Sequence, residues 1–232
     1  MAAIGDLHMQ RNIVGTFRTT FGEISTTADI LVLCGDLTNT GQIEEAKILA
    51  EELEFCKIPI AGVLGNHDYA DDKPEEIKKI LSSAMFILGD QPYIFKEVGF
   101  AGVKGFCGGF DNHVAMPFGE HVLKQFVYES ISEALKLEAV LAELETEKKV
   151  VVLHYSPIRQ TIEGEPLEIY PLLGTSRLAE PIDAFGVNVV FHGHAHHGSP
   201  KGKTGKGVPV YNVSLPVLSR SKPSQTYVVV EI

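Results

Sequence analysis

Histidines are concentrated in one short segment of the chain, FHGHAHHGS at residues 191–199, which carries four of them within six positions. Side chains two positions apart on an extended strand project to the same side, so His194 and His196 can bind one centre. His197 points the other way and is predicted to lie at the surface. Histidine-rich tracts are a compositional signal of metal binding, which makes a metal site the first hypothesis.

Further potential metal ligands follow four other apolar runs, at the point where each run ends. The first run ends in GDLH, the second in GDLTN, the third in GNHD and the fourth in a single histidine. Each motif alone is also typical of a tight turn. In open α/β sheets, however, ligands bind in the crevice outside the carboxyl ends of the strands, so five such exits together predict one metal centre. The candidate ligands from these four runs are Asp6, His8, Asp36, Asn66 and His154.

The apolar runs are short and rich in β-branched residues, as is typical of buried strands in a layered α/β protein. No internal repeat or linker-like segment interrupts them, so we predict a single domain over residues 1–232. A long loop over 156–171, with three prolines, is predicted to lie over the site. The predicted strands are 2–4, 29–34, 58–64, 149–154, 187–192, 208–213 and 227–232, with an antiparallel meander over 85–106.

Helical patterns over 41–55, 73–83 and 118–147 separate the predicted strands. The first has an apolar stripe with its acidic residues on the outer side, and the second opens with a proline and acids suited to a first helical turn. The predicted apolar faces are Ile43, Ala46, Leu49, Ala50 and Leu53 in the first helix, and Val122, Phe126, Ile131, Leu135, Leu141 and Leu144 in the longest.

Composition limits the classes of function. A net charge of −10 and a pI near 5.4 argue against nucleic-acid binding, which normally requires a basic face. The three cysteines form no CxxC pair, so reduced, buried thiols are predicted in place of a thiolate zinc site. The sequence shows neither a secretory signal nor a membrane-spanning run, and we predict a soluble, cytoplasmic protein with no membrane partner.

The order D-x-H, G-D-x-x-N, G-N-H-D, H, G-H-x-H resembles the calcineurin-like metallophosphoesterase superfamily, with all five blocks present from residue 6 to residue 196. The resemblance implies a four-layer sandwich of two mixed β-sheets flanked by α-helices, with a two-metal site at one edge. It also implies two ligand sets that share Asp36 as a bridge. One set is Asp6, His8, Asp36 and His196, and the other is Asp36, Asn66, His154 and His194.

The resemblance further implies an activity: metal-dependent hydrolysis of a small-molecule phosphate ester. His67 would be the general acid that protonates the leaving alkoxide, and Asn39 would orient it. Imidazole, carboxylate and amide ligands suit Mn²⁺, Fe²⁺ or Zn²⁺. Two such ions can share a hydroxide that attacks phosphorus.

One departure from the family pattern narrows the substrate. Protein phosphatases of the superfamily carry G-D-x-x-D-R-G, whereas this chain has G-D-L-T-N-T-G, with Asn39 and Thr40 in place of the Asp-Arg pair. A phosphodiesterase, or a phosphatase for small phosphomonoesters, is therefore favoured over a protein phosphatase. The alternative is a non-catalytic scaffold that retains the fold, but such relatives lose the acid histidine or metal ligands, and this chain keeps them all.

Several residues keep two interpretations at this stage. Phe110, His113 and Phe118 would either line a substrate pocket or pack in the ordinary way. Arg177 would either contact a phosphate or lie solvated at the surface. His192 would either form hydrogen bonds that support the metal ligands or pack in the core without a role at the site.

Overall fold

The computed structural model describes residues 1–221 and 226–232, and its centre is a pair of β-sheets packed face to face. The first sheet has the strand order β11-β1-β2-β3-β4. Strands β1 to β4 are parallel, and β11 pairs antiparallel with β1. These strands are β1 (Ala2–Ile4), β2 (Leu31–Cys34), β3 (Ile60–Val63), β4 (Phe86–Ile87) and β11 (Val228–Val229).

The second sheet has the order β5-β6-β7-β8-β10-β9. Its four central strands are parallel, and each edge strand pairs antiparallel with its neighbour, so this sheet is also mixed. The strands are β5 (Tyr93–Phe95), β6 (Val98–Val103), β7 (Lys148–Leu153), β8 (Val189–His192), β9 (Lys201–Lys203) and β10 (Pro209–Asn212).

Helices cover the outer face of each sheet, which confirms the predicted four-layer α/β architecture. The first sheet packs against α1 (Arg18–Thr27), α2 (Ile43–Leu53) and α3 (Pro74–Leu81). The second packs against α4 (His121–Ala142) and α5 (Ala179–Ala184), while α6 (Leu215–Ser221) follows β10. None of the helices in the described residues combines the length and the apolar character that crossing a membrane requires.

The strands are apolar along their whole length because both of their faces are covered. All four residues of β2 are buried, and its side chains alternate between the helix-facing core and the core between the sheets. Val32, Val63, Val152 and Phe191 meet between the sheets. Each such side chain contributes about 1.5–3 kcal/mol by leaving water.

Parallel register brings the ends of the central strands to one level. Ile4 lies opposite Leu33, and Cys34 lies opposite Val63. Since a parallel sheet has all its carboxyl ends on one side, the loops after β1, β2 and β3 begin side by side. This edge, where β7 and β8 of the second sheet also end, is called the site edge below.

Three predictions of detail were wrong. The apolar face of α4 was predicted only in part: Leu141 is buried as predicted, but Val122 and Leu135 are 75% and 57% exposed, and Val127 and Leu137 are buried in their place. The helix carries apolar side chains on several of its faces, and packing against the second sheet buries those on one of them. The predicted 85–106 meander is divided, because β4 joins the first sheet in parallel while only β5 and β6 form an antiparallel hairpin.

The third error concerns the acids of α2. Glu45 and Glu52 are buried, although the helical pattern predicted acids on the outer side. Both carboxylates accept hydrogen bonds from backbone N–H groups of neighbouring loops, which offsets their loss of hydration.

Candidate metal centre

The structure brings all seven predicted ligands together at the site edge. Each is delivered by a loop that leaves a central strand, as the strand-exit pattern predicted. They form two clusters that meet at one carboxylate. The seven residues are Asp6, His8, Asp36, Asn66, His154, His194 and His196.

The first cluster contains Asp6, His8 and His196, whose potential ligand atoms all lie within 4.8 Å of one another. His196 Nε2 is 2.9 Å from Asp6 Oδ1. His8 Nε2 is 3.8 Å from Asp36 Oδ2, so this cluster reaches the shared carboxylate through its Oδ2.

The second cluster contains Asp36, His154 and His194, again with ligand atoms within 4.8 Å of one another. His154 Nε2 is 3.3 Å from Asp36 Oδ1 and 2.8 Å from Asn66 Oδ1. The two oxygens of Asp36 therefore face different clusters, an arrangement in which one carboxylate can serve both.

His67 lies next to both clusters. Its Nε2 is 3.9 Å from Asp36 Oδ2, and its ring centroid is 4.5 Å from that of His8. His8, Asp36 and His67 form a third group that could hold an ion. His67 Nδ1 is 2.6 Å from the backbone oxygen of Asn39, so the contact with Asn39 is made by its main chain.

The residues present fit divalent metal ions. Both ring nitrogens of His8 are shielded from solvent, yet neither has a hydrogen-bond partner among the described residues. Buried polar atoms without partners are rare in folded proteins, and a bound ion is one explanation for them at a polar site. Imidazole, carboxylate and amide groups converge here without a thiolate, the donor set of borderline divalent ions.

Backbone conformation gives a second indication of function. Asp6, His8, Asp36 and His194 have φ values of 58°, 45°, 48° and 69°, in the left-handed region that most non-glycine residues avoid. Such conformations cost about 1–3 kcal/mol each and cluster at functional sites. Gly65 is required for a different reason: a Cβ there would clash with the backbone nitrogen of Asp36.

Burial keeps several imidazoles of the site neutral. It lowers the pKa of His8 to about 4 and that of His194 to about 3, and it holds the pKa of His154 well below its ordinary value. Neutral imidazole is the form that binds metals. Burial also raises the pKa of Asp6 to about 6, while its hydrogen bond with His196 raises the pKa of that histidine.

Two buried carboxylates hold the ligand loops, and the sequence did not reveal their role. Asp68 accepts the N–H groups of Leu37, Thr38 and Gly65 and the hydroxyl of Thr38, at 2.6–3.2 Å, which joins the loops after β2 and β3. Glu45 accepts the N–H groups of Asn39 and Thr40 and the hydroxyl of Thr40. The position of Glu45 on an amphipathic helix gives no signal that distinguishes this role from that of a solvated surface residue.

The open alternatives resolve in different ways. His192 is buried and hydrogen-bonds through Nε2 to Thr161 Oγ1, at 2.8 Å, so it hydrogen-bonds behind the ligand loop. Phe110 packs in a small buried cluster, whereas Phe118 is 82% exposed. Arg177 donates to the backbone oxygen of Ala115 at 2.7 Å, and it hydrogen-bonds to none of the predicted ligands within the part of the chain that the structure describes. His113 and His197 are exposed.

Comparison with known proteins identifies a related family and related folds. A sequence profile described as calcineurin-like phosphoesterase matches residues 1–198. No curated protein is significantly similar to the sequence. Among solved structures, a phosphopantetheinyl hydrolase from Mycobacterium tuberculosis has a TM-score of 0.70 and 15% identity, covering 97% of this chain and 93% of that one.

Two further structures share the fold at lower similarity. The protein TT1561 of Thermus thermophilus has a TM-score of 0.53 and 16% identity, covering 94% of this chain and 90% of that chain. A proposed 5'-nucleotidase from Staphylococcus aureus has a TM-score of 0.51 and 16% identity, covering 91% of this chain but only 47% of its own.

Proposed function

The chain belongs to the calcineurin-like phosphoesterase family, and we propose that it is a two-metal hydrolase of phosphodiesters or small phosphomonoesters. The observation that carries the proposal is the position of Asp36, whose Oδ1 and Oδ2 face different ligand clusters. One carboxylate shared by two clusters of imidazole and carboxylate groups suits a pair of adjacent divalent ions.

The two metal ions would be held as the family pattern implies. Asp6, His8 and His196 would hold one and Asn66, His154 and His194 the other, with Asp36 shared. When bound, such ions polarise phosphoryl oxygens and lower the pKa of a water molecule into the neutral range. With only two anionic ligands, the site would keep a net positive charge of about +2 that attracts a phosphate. Manganese, iron and zinc all suit this donor set.

His67 supplies the proton in this proposal. A hydrogen bond from Nδ1–H to the Asn39 carbonyl oxygen fixes the ring and leaves Nε2 directed towards the Asp36 side of the site. His67 is therefore suited to protonate the departing alkoxide, a task that general acids accelerate by about 10²–10⁴-fold.

The substrate class follows from the groups around the site. No arginine follows Asn39 in the sequence, so the bidentate guanidinium that favours phosphorylated proteins is missing from this loop. Small esters need less recognition surface, which supports phosphodiesters and small phosphomonoesters. The prediction of a cytoplasmic protein is retained as part of this proposal.

The test is a hydrolysis panel with purified protein loaded in turn with manganese, iron or zinc. The panel contains cyclic nucleotides, nucleoside diphosphate conjugates, sugar phosphates and aryl phosphate esters. Metal-dependent turnover of at least one class, abolished by His154→Ala, is the expected result. Two bound metal ions without turnover of any substrate would instead favour the non-catalytic scaffold.

A further inference from the structure

Lys104 lies at the end of β6, and its ammonium is surrounded by aromatic rings. Nζ is 4.9 Å from the ring centroid of Phe106, 5.3 Å from that of Tyr155 and 5.5 Å from that of Tyr69. A cation over the face of an aromatic ring is attracted by the ring quadrupole, more strongly when it is removed from water. Three rings from three parts of the chain therefore hold one positive charge.

Two of these rings connect the ammonium to the candidate metal centre. Tyr155 directly follows His154, and its ring centroid is 4.4 Å from that of His194. Tyr69 closes the short 3₁₀ helix His67–Tyr69, which carries the proposed acid. The ring of Tyr155 thus contacts both the ammonium of Lys104 and the candidate ligand His194.

The ammonium is not neutralised by a direct ion pair. Within the described residues, no carboxylate lies within the 4.0 Å of Nζ that defines a salt bridge, and its hydrogen bond goes to the neutral oxygen of Gly105, at 2.8 Å. The nearby carboxylate of Glu133 is already engaged by Lys136 and by the backbone N–H of Gly105. Burial lowers the pKa of Lys104, and the charge of Glu133 opposes that lowering.

The backbone of Lys104 is fixed as firmly as its side chain. Its carbonyl oxygen accepts the N–H groups of His154 and Tyr155, both at 3.1 Å. Glu133 holds the following residue, Gly105, through its backbone N–H. The main chain at Lys104 is therefore tied directly to the strand exit that carries His154 and Tyr155.

We propose that Lys104 is a positioning residue that makes the site selective for doubly charged phosphate groups, by adding positive potential behind Tyr155 without touching the substrate. The inference rests on the proposed function and deepens it, because it favours a phosphomonoester dianion over a phosphodiester monoanion. A fixed charge interacts twice as strongly with a dianion as with a monoanion at the same position. Preorganised charges in a site with little water act without a cost of reorganisation.

The test compares three variants in the metal-loaded protein. Lys104→Met keeps the length of the side chain and removes the charge, while Lys104→Arg keeps both the charge and the contact with the rings. Lys201→Met is the matched control, since Lys201 lies over the ring of Tyr211, at 4.6 Å, on β9. Circular dichroism, melting temperature and metal content establish that each variant is folded and loaded.

The first readout is binding at pH 8, where inorganic phosphate is a dianion and dimethyl phosphate a monoanion. We expect Lys104→Met to weaken phosphate binding about tenfold and dimethyl phosphate binding about threefold, as charge scaling requires. Lys104→Arg, which keeps the charge, should retain the wild-type preference for phosphate over dimethyl phosphate. Lys201→Met should also leave this preference unchanged. Equal losses for both ligands, or no loss, would overturn the inference even if the protein hydrolyses nothing.

The second readout is kcat/KM for 4-nitrophenyl phosphate and methyl 4-nitrophenyl phosphate, which share a leaving group and differ in charge. The monoester rate should fall more than the diester rate in Lys104→Met. An unchanged ratio in an active enzyme contradicts the role of Lys104, whereas inactivity of the wild-type protein with every metal contradicts the proposed function. If Lys104→Met does not fold, Lys104→Gln replaces it in both measurements.

Discussion

The imidazole Nδ1 of His67 lies 2.6 Å from the backbone oxygen of Asn39, and this contact joins the loop after β3 to the loop after β2. Because a main-chain atom makes the contact, the histidine is oriented by the path of the loop and not by the identity of the residue at position 39. The same loop begins at Asp36, so the proposed bridging ligand and the proposed acid depend on one short segment.

Replacing His67 with alanine should slow hydrolysis while leaving the fold and the metal content intact. A loss of about 10²–10⁴-fold is expected for a poor alkoxide leaving group, which needs the proton. An acidic phenol needs little protonation, so the loss there should be much smaller. His194→Ala should slow both substrates alike; metal analysis of His67→Ala decides whether this residue is an acid or a ligand.

Asn39→Ala should have an activity close to that of the wild-type protein, because alanine keeps the carbonyl oxygen that His67 contacts. Glu45→Ala should cost more, since it leaves the buried N–H groups of Asn39 and Thr40 without their acceptor. Each such group costs about 1–3 kcal/mol when unsatisfied. Measuring kcat for esters with an alkoxide leaving group tests whether Glu45→Ala loses more activity than Asn39→Ala. Glu45→Gln, which keeps one acceptor oxygen, should lose less than Glu45→Ala. A large loss of kcat in Asn39→Ala but not in Glu45→Ala would show that the side-chain amide of Asn39 orients His67.

Asp36→Ala should reduce binding at both metal positions, because one carboxylate faces both clusters. We expect most of the metal to be lost, with elemental analysis of the purified variant as the measurement. His8→Ala, in comparison, should weaken one position more than the other. Two retained equivalents in Asp36→Ala would remove this residue from the bridge.

Asp68→Asn should destabilise the protein by about 2–4 kcal/mol, since the amide –NH₂ faces N–H donors in place of a carboxylate oxygen. All four groups that Asp68 accepts are donors, in the loops after β2 and β3. Urea unfolding measures the change, and Asp90→Asn, at an exposed acid, serves as the control. Equal stability of the two variants would contradict a structural role for Asp68.

Gly65→Ala should disrupt the centre while adding only one methyl group. The new Cβ would clash with both the backbone nitrogen and Oδ1 of Asp36, so the loop after β2 must move. We expect loss of metal together with a lower melting temperature. Gly89→Ala is the matched control, since no atom lies within 4 Å of the Cβ built there.

The sequence alone was sufficient to predict the fold class, the central strands and the grouping of the metal-ligand candidates. The physical reason is local: a buried parallel strand must be apolar, and a ligand at its carboxyl end must follow directly after it. Five such exits in one chain can meet only where parallel strands end together. The extended-chain spacing that paired His194 with His196 does not hold in the structure, because the chain has already left β8 at His194, where φ is 69°, and the two histidines lie in different clusters.

Tertiary structure alone decided which acids are buried and how His67 is held. Glu45 and Glu52 follow the spacing of a solvent-facing stripe, yet backbone N–H groups from neighbouring loops replace their water. The ammonium of Lys104 is contacted by rings at positions 69, 106 and 155, which lie far apart in the sequence. No periodicity encodes such contacts, because they arise when separate loops meet and each buried polar group must find a partner.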